Sequence, residues 1–129
     1  GTVPAELRKL PHILIDTGSA RSVDMTYTLA SDIYLGDVSS QIYEWIIRPR
    51  PAIFLNSHAG NWAEDPNYAH WHLGPVLDNL KALPAALATA SAPQDPFRTV
   101  QEAAREANFA QSDRSASQRC ALEISQILI

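Results

Sequence analysis

The sequence predicts an α/β domain on a small, mostly parallel sheet, with a helical C-terminal third. Three observations carry this. Three short apolar runs, HILID (residues 12–16), DIYLGD (32–37) and AIFLN (52–56), have the length and composition of buried strands. Between the second and third, Ile42, Trp45 and Ile46 recur at i, i+3 and i+4, a helical spacing. Strands that alternate with helices pair in parallel, because the helix serves as the crossover.

Taken in order, PAELRKLP (4–11) is a short helix or turn cut off by Pro11, and HILID is the first strand. TGSARSVD (17–24) is a loop with Gly18 and several hydroxyl residues. VDMTYTLAS (23–31) is a short helix carrying Met25, Leu29 and Ala30, and DIYLGD is the second strand. SSQIYEWIIR (39–48) is a helix that RPRP (48–51) stops, and AIFLN is the third strand. SHAGNWAEDPNYAHWHLGPV (57–76) is polar, aromatic and rich in turn residues, so it reads as a long loop of the kind that tends to carry function. LDNLKALPAALATA (77–90) is helical, with Pro84 near a start. DPFRTVQEAAREANFA (95–110) is a helix with Asp95 as N-cap and Pro96 in the first position. SASQRCALEISQILI (115–129) is the last helix, and its spacing makes Cys120 a small core residue.

The 129 residues fit one domain, and 46% hydrophobic content supplies a core. The formal charge of −4 gives no field to recruit nucleic acid, so a phosphate ligand needs a local positive site. No apolar run has the length that spans a bilayer. The single cysteine cannot form an internal disulfide, and a reducing, cytoplasmic setting fits it. Three strands make a thin sheet for so many helices, and the chain ends on Ile127, Leu128 and Ile129. The expectation is a single domain over residues 1–129 that is the C-terminal part of a larger protein.

The junction between DIYLGD and the helix after it is the candidate site. Ligands of open α/β sheets bind outside the carboxyl ends of the strands. Ser39 and Ser40 lie just past such an end, at the start of a helix, where backbone N–H groups lack partners and the dipole is positive. Small hydroxyl residues there suit a phosphate, which an acidic protein can bind through backbone dipoles. The alternative is that Asp37 or Ser39 caps the helix, for about 1 kcal/mol. Glu44, four residues after Ser40, can accept from ribose hydroxyls, or it can pair with Arg48 in solvent. His58 follows another strand end and can serve the phosphates as a donor or acid, or pack on Trp62.

The segment LASDIYLGDVSSQIYEWIIRPRPAIFLNSH (29–58) resembles the C-terminal lobe of the CDP-glycerol glycerophosphotransferases. Asp32, Asp37, Ser39, Ser40, Glu44, Arg50, Pro51, Ile53 and Phe54 occupy the places of that family's strand, D-Y-S-S turn, acidic residue and following strand. YAHWHLGPVLDNLKAL (68–83) falls where the family has a G-x-hydrophobic strand and a helix, so the likeness covers roughly the first ninety residues. Val38 stands in place of the usual tyrosine, Asn56, Ser57 and His58 replace a tyrosine–aspartate pair, and the upstream histidine motif is absent.

The resemblance implies a Rossmann-like, three-layer α/β/α donor lobe of a GT-B transferase, an architecture that UDP-N-acetylglucosamine 2-epimerases share. A CDP- or UDP-linked donor would rest its diphosphate on Asp37, Ser39 and Ser40, with its ribose on Glu44; His58 stands beside the phosphates by its place after a strand end, at a position that departs from the family pattern. No cofactor or metal is implied, and no catalytic residue is assigned. Implied partners are the missing N-terminal lobe, a second copy of the fragment, and a membrane surface for the full-length protein, which would serve cell-envelope polysaccharide synthesis. The reading from another class is a non-catalytic nucleotide-binding or interaction module. His70 and His72 as a metal pair, Trp62, Tyr68 and Trp71 as a stacking platform, and Arg21 as a phosphate partner stand beside structural roles for the same residues.

Overall fold

The computed structural model describes residues 3–109 and 112–127. Ala110, Leu128 and Ile129, which the sequence assigns to helices, lie outside them. The architecture is mixed α/β on an open three-stranded sheet, with β1 Tyr34–Gly36, β2 Ala52–Leu55 and β3 Val76–Leu77. All pairing is parallel, in the order β1-β2-β3. Helices α1 Thr26–Ala30 and α2 Gln41–Trp45 flank β1 in sequence. Helices α3 Leu83–Ala90, α4 Arg98–Asn108 and α5 Ala116–Ile127 form the last third.

The core follows from the apolar spacing. Ile42, Trp45 and Ile46 put one face of α2 against β2, whose Ala52, Ile53 and Phe54 are buried on both sides of the strand. Trp71 and Leu73 cover the same region from a 3-10 helix at Pro66–Leu73. Each large apolar side chain removed from water contributes roughly 1.5–3 kcal/mol, and the rings add edge and stacked contacts. Phe54 stacks with Trp71 at a centroid distance of 6.3 Å, and Tyr34 lies 5.8 Å from Trp45.

Arg50 joins α1 to this core. Its guanidinium lies 3.7 Å over the Trp45 ring and donates to the carbonyls of Thr28 (2.9 Å), Arg48 (2.9 Å) and Ser31. Thr28 and Ser31 lie at the C-terminal end of α1, where carbonyls lack helical partners. Trp45 Nε1 donates in turn to the Arg50 carbonyl at 2.9 Å. The RPRP stretch is therefore a brace as well as a helix stop.

The structure corrects several expectations. HILID is not a strand: Ile13 N–H donates back to the Leu10 carbonyl, Leu14 is 76% exposed, and β1 is left as an open edge. Strand composition alone makes no strand, and this segment is drawn toward α1, where the Tyr27 hydroxyl donates to Asp16 Oδ2 at 2.8 Å. The third strand is Val76–Leu77, from the end of the expected loop and the start of the expected helix, where the family pattern alone has a G-x-hydrophobic strand. Gly74 and Pro75 read as turn residues, yet Gly74 is what permits the pairing: a Cβ there would sit 2.1 Å from the Ala52 carbonyl oxygen. The Pro75 carbonyl accepts from Phe54 N–H at 2.9 Å. The expected loop over 57–76 also contains the 3-10 helix. Asp95 caps the turn ahead of α4, accepting from Phe97 N–H at 2.9 Å, and the helix itself starts at Arg98. Cys120 is exposed rather than in the core, because α5 buries none of its residues.

Candidate functional site

The turn at residues 37–40 leaves the carboxyl end of β1 and enters α2. Gly36 is small because the Tyr34 ring folds back across it; a Cβ at Gly36 would lie 2.5 Å from the Tyr34 hydroxyl. Burial raises the Tyr34 phenol above its ordinary value, while the Ser39 hydroxyl acts in the opposite direction. Ser39 Oγ accepts from Gln41 N–H at 3.2 Å, and the Ser40 carbonyl accepts from Tyr43 N–H at 3.0 Å. Ser39 therefore serves as a local cap. Trp71 Nε1 donates to the Asp37 carbonyl at 3.2 Å and fastens the turn to the 57–76 segment. Asp37, Ser40 and Glu44 are exposed. Helix α2 ends at Trp45, so Arg48 is beyond its last turn, and the ion pair among the described residues is Arg98–Glu102. Glu44 thus keeps its carboxylate for solvent or ligand.

Asn56 organises the neighbouring strand end. It is 5% exposed, and its Nδ2 donates to the Gly60 carbonyl at 3.0 Å and to Asp78 Oδ1 at 2.7 Å. Its Oδ1 accepts from Gly60 N–H at 3.0 Å, closing a loop in which Ala59 takes a left-handed φ of 49°. Ser57 and His58 are exposed on that loop. Past the ends of β2 and β3 opens a crevice of about 380 Å³, lined by Leu55, Asn56, Ser57, Leu77, Asp78, Asn79 and Leu80. Since the strands are parallel, this crevice, His58 and the 37–40 turn all lie along one edge of the sheet.

No protein-family model, curated protein or solved structure matches the chain.

The other candidates separate. His70 is buried against Phe54, at 6.0 Å, and its Nε2 has no hydrogen-bond partner; burial lowers its pKa and keeps it neutral. His72 is exposed, 5.2 Å from Trp62. The two histidines therefore do not converge, and among the described residues no group of three or more His, Cys, Asp or Glu could hold a metal ion. Trp71 anchors the 57–76 segment on the core, with Tyr68 at 4.6 Å and Trp62 at 5.8 Å. Arg21 sits on the 3-10 turn Ala20–Ser22, whose N-cap Ser19 accepts from Arg21 N–H. Asp16 gathers that loop: its carboxylate accepts from the N–H groups of Gly18 and Ser19 and from the hydroxyls of Ser19 and Tyr27. These bonds, led by the Ser19 hydroxyl, hold Asp16 well below the usual carboxylate range.

Sequence reasoning found the 37–40 turn but missed the Asn56–Asp78 pair. Asn56 was visible only as a departure from a motif, and Asp78 as the second residue of an expected helix. Their 22-residue separation becomes a contact only when β3 pairs with β2.

Proposed function

We propose that the chain is the donor-nucleotide lobe of a GT-B type transferase, Rossmann-like in its layering and similar to the CDP-glycerol glycerophosphotransferases. A CDP- or UDP-linked donor lies along the carboxyl edge of the sheet. Its diphosphate rests on the turn of Asp37, Ser39 and Ser40, its ribose on Glu44, and His58 stands beside the phosphates from the next strand. The observation that carries this reading is the position of the 37–40 turn: it joins a parallel strand to a helix, with Ser40 and Glu44 exposed one helical turn apart. Ser39 contributes by ordering the turn, since its hydroxyl is already engaged with Gln41 N–H. The transferase reaction is displacement at the donor with the nucleotide as leaving group, and it needs the acceptor lobe to align the reactants. A non-catalytic nucleotide-binding module uses the same site without turnover.

Calorimetric titration with CDP and with UDP tests the proposal. Ser39→Asp places a carboxylate where the diphosphate would lie, and binding falls at least about tenfold. His72→Ala, on the surface against Trp62, leaves affinity unchanged. Equal losses in both variants, or no binding by the parent chain, would refute the assignment.

A further inference from the structure

We infer that the crevice at the carboxyl ends of β2 and β3 is a binding site for a small primary alkylammonium ion. The site stands on the crevice alone and needs no nucleotide, whereas the donor reading concerns the 37–40 turn. At about 380 Å³ the crevice is in the range of small-molecule sites. Leu55, Leu77 and Leu80 give it apolar walls, and Asp78 is the one charged residue on its lining. An apolar crevice with a single negative charge selects an alkyl body with one positive end. The carboxylate is held in place. Asn56, 5% exposed, donates from Nδ2 to Asp78 Oδ1 at 2.7 Å. Asn56 is itself fixed by Gly60, whose carbonyl accepts from Nδ2 and whose N–H donates to Oδ1, both at 3.0 Å.

The same carboxylate is left without a cation. Among the described residues nothing donates to Asp78 Oδ2, and the ion pair is Arg98–Glu102, at a different place. Lys81, three residues on, donates its backbone N–H to Asn79 Oδ1 at 2.9 Å, and its ammonium makes no ion pair with Asp78. A primary ammonium has three donors and no acceptor. One meets Asp78 Oδ2, a second meets the Ser57 hydroxyl on the same lining, and the third stays in water, since both residues are exposed. A quaternary ammonium has no N–H to give, and none of the lining residues is an aromatic ring that could hold it by its face. A phosphate or a carboxylate meets like charge. A neutral alcohol keeps the apolar contact and forgoes the charge.

The test titrates the chain, without nucleotide, with n-butylammonium, n-butanol and butyrate, and follows the methyl resonances of Leu55, Leu77 and Leu80. The three probes share an apolar body and differ in the head group. The expected result is that butylammonium binds roughly fivefold more tightly than butanol, with butyrate the weakest. Added salt shrinks that preference. Asp78→Asn keeps an oxygen to accept from Asn56 and removes the charge, so butylammonium falls to the level of butanol. Asp113→Asn, an exposed carboxylate ahead of α5, leaves the preference unchanged. Leu80→Trp fills the crevice from a position that is 65% exposed and weakens both ligands. Butylammonium that binds no better than butanol, or a preference that survives Asp78→Asn, overturns the inference. A preference indifferent to salt, or the absence of shifts at these methyl groups at molar ligand, overturns it without recourse to any variant.

Discussion

His70 is the residue whose chemistry the fold changes most plainly. Its ring is buried beside Phe54 and Trp71, and its Nε2 is unpartnered. Burial favours the neutral ring and depresses the folded-state pKa below the ordinary 6.5. The unfolded chain therefore takes up a proton first as pH falls. The contribution of His70 to stability is intact above about pH 6.5 and declines as pH drops from there through its folded pKa. Asp16 acts in a separate, more acid window, below its ordinary 3.8, because its folded pKa is also depressed. His70→Phe removes the titrating group and the unpartnered nitrogen together. The expected outcome is a melting temperature that no longer falls between pH 6.5 and pH 5, with little change at pH 8, measured by thermal melts across that range. The sequence could not distinguish His70 from His72. As an extended pair two apart they share a side, whereas in a 3-10 helix of three residues per turn they point about 120° apart.

Among the elements, β2 and α2 were the most legible. A strand buried on both faces must be apolar throughout, and AIFL is. Ile42 and Trp45 of α2 and Ile46 at its C-cap are apolar at helical spacing and buried as that spacing requires, although the helix spans Gln41–Trp45 and not the expected 39–48. HILID misled because its composition matches β2 while its surroundings do not: Leu14 is exposed, and Asp16 is tied to the Gly18–Ser19 turn and to Tyr27 instead of lying on the open β1 edge. β3 was legible only through the resemblance, whose G-x-hydrophobic strand falls at Gly74–Val76, and not through periodicity. Two residues after a Gly-Pro pair carry no periodicity, and the strand exists because a backbone can approach Ala52 where Gly74 has no side chain. Gly74→Ala tests that origin. With backbone rather than a movable side chain in the way, β3 is pushed off β2, and stability falls by about 2–4 kcal/mol. Urea unfolding should register this as a lower midpoint. The resonances of Asn56 should shift as well, since its N–H donates to the Leu77 carbonyl at 2.9 Å.

At the scale of the whole molecule, stability is concentrated in residues 28–101, which hold the buried side chains among the described residues, from Thr28 to Gln101. Helix α4 belongs to this unit: Gln101 Nε2 donates to the Leu73 carbonyl at 2.8 Å, and Arg98 donates to the Pro49 carbonyl at 2.8 Å. Helix α5 does not. It is well formed, with Ser115 and Gln118 exchanging hydrogen bonds as a capping box, Gln118 N–H to Ser115 Oγ at 3.2 Å and Ser115 N–H to Gln118 Oε1 at 3.0 Å. Yet none of its residues is buried. Its existence was readable from spacing, but its placement was not, because an amphipathic pattern states that a face wants cover and not what covers it. A chain ending at residue 112 should unfold at the same denaturant midpoint as the full sequence, within about 0.5 kcal/mol. A loss well beyond that would mean that α5 docks on the core in solution.

The hydrogen bond from Trp71 to the Asp37 carbonyl has an optical consequence. Of the three tryptophans, Trp45 is sealed in the core with its indole N–H on Arg50, and Trp62 sits half-buried on the periphery. Trp71 alone hangs its indole from the backbone of the 37–40 turn. Anything that tightens or displaces that turn alters the polarity and hydrogen bonding of this one chromophore. The chain therefore carries an intrinsic fluorophore wired to the entrance of α2, and its emission follows events there without any added label.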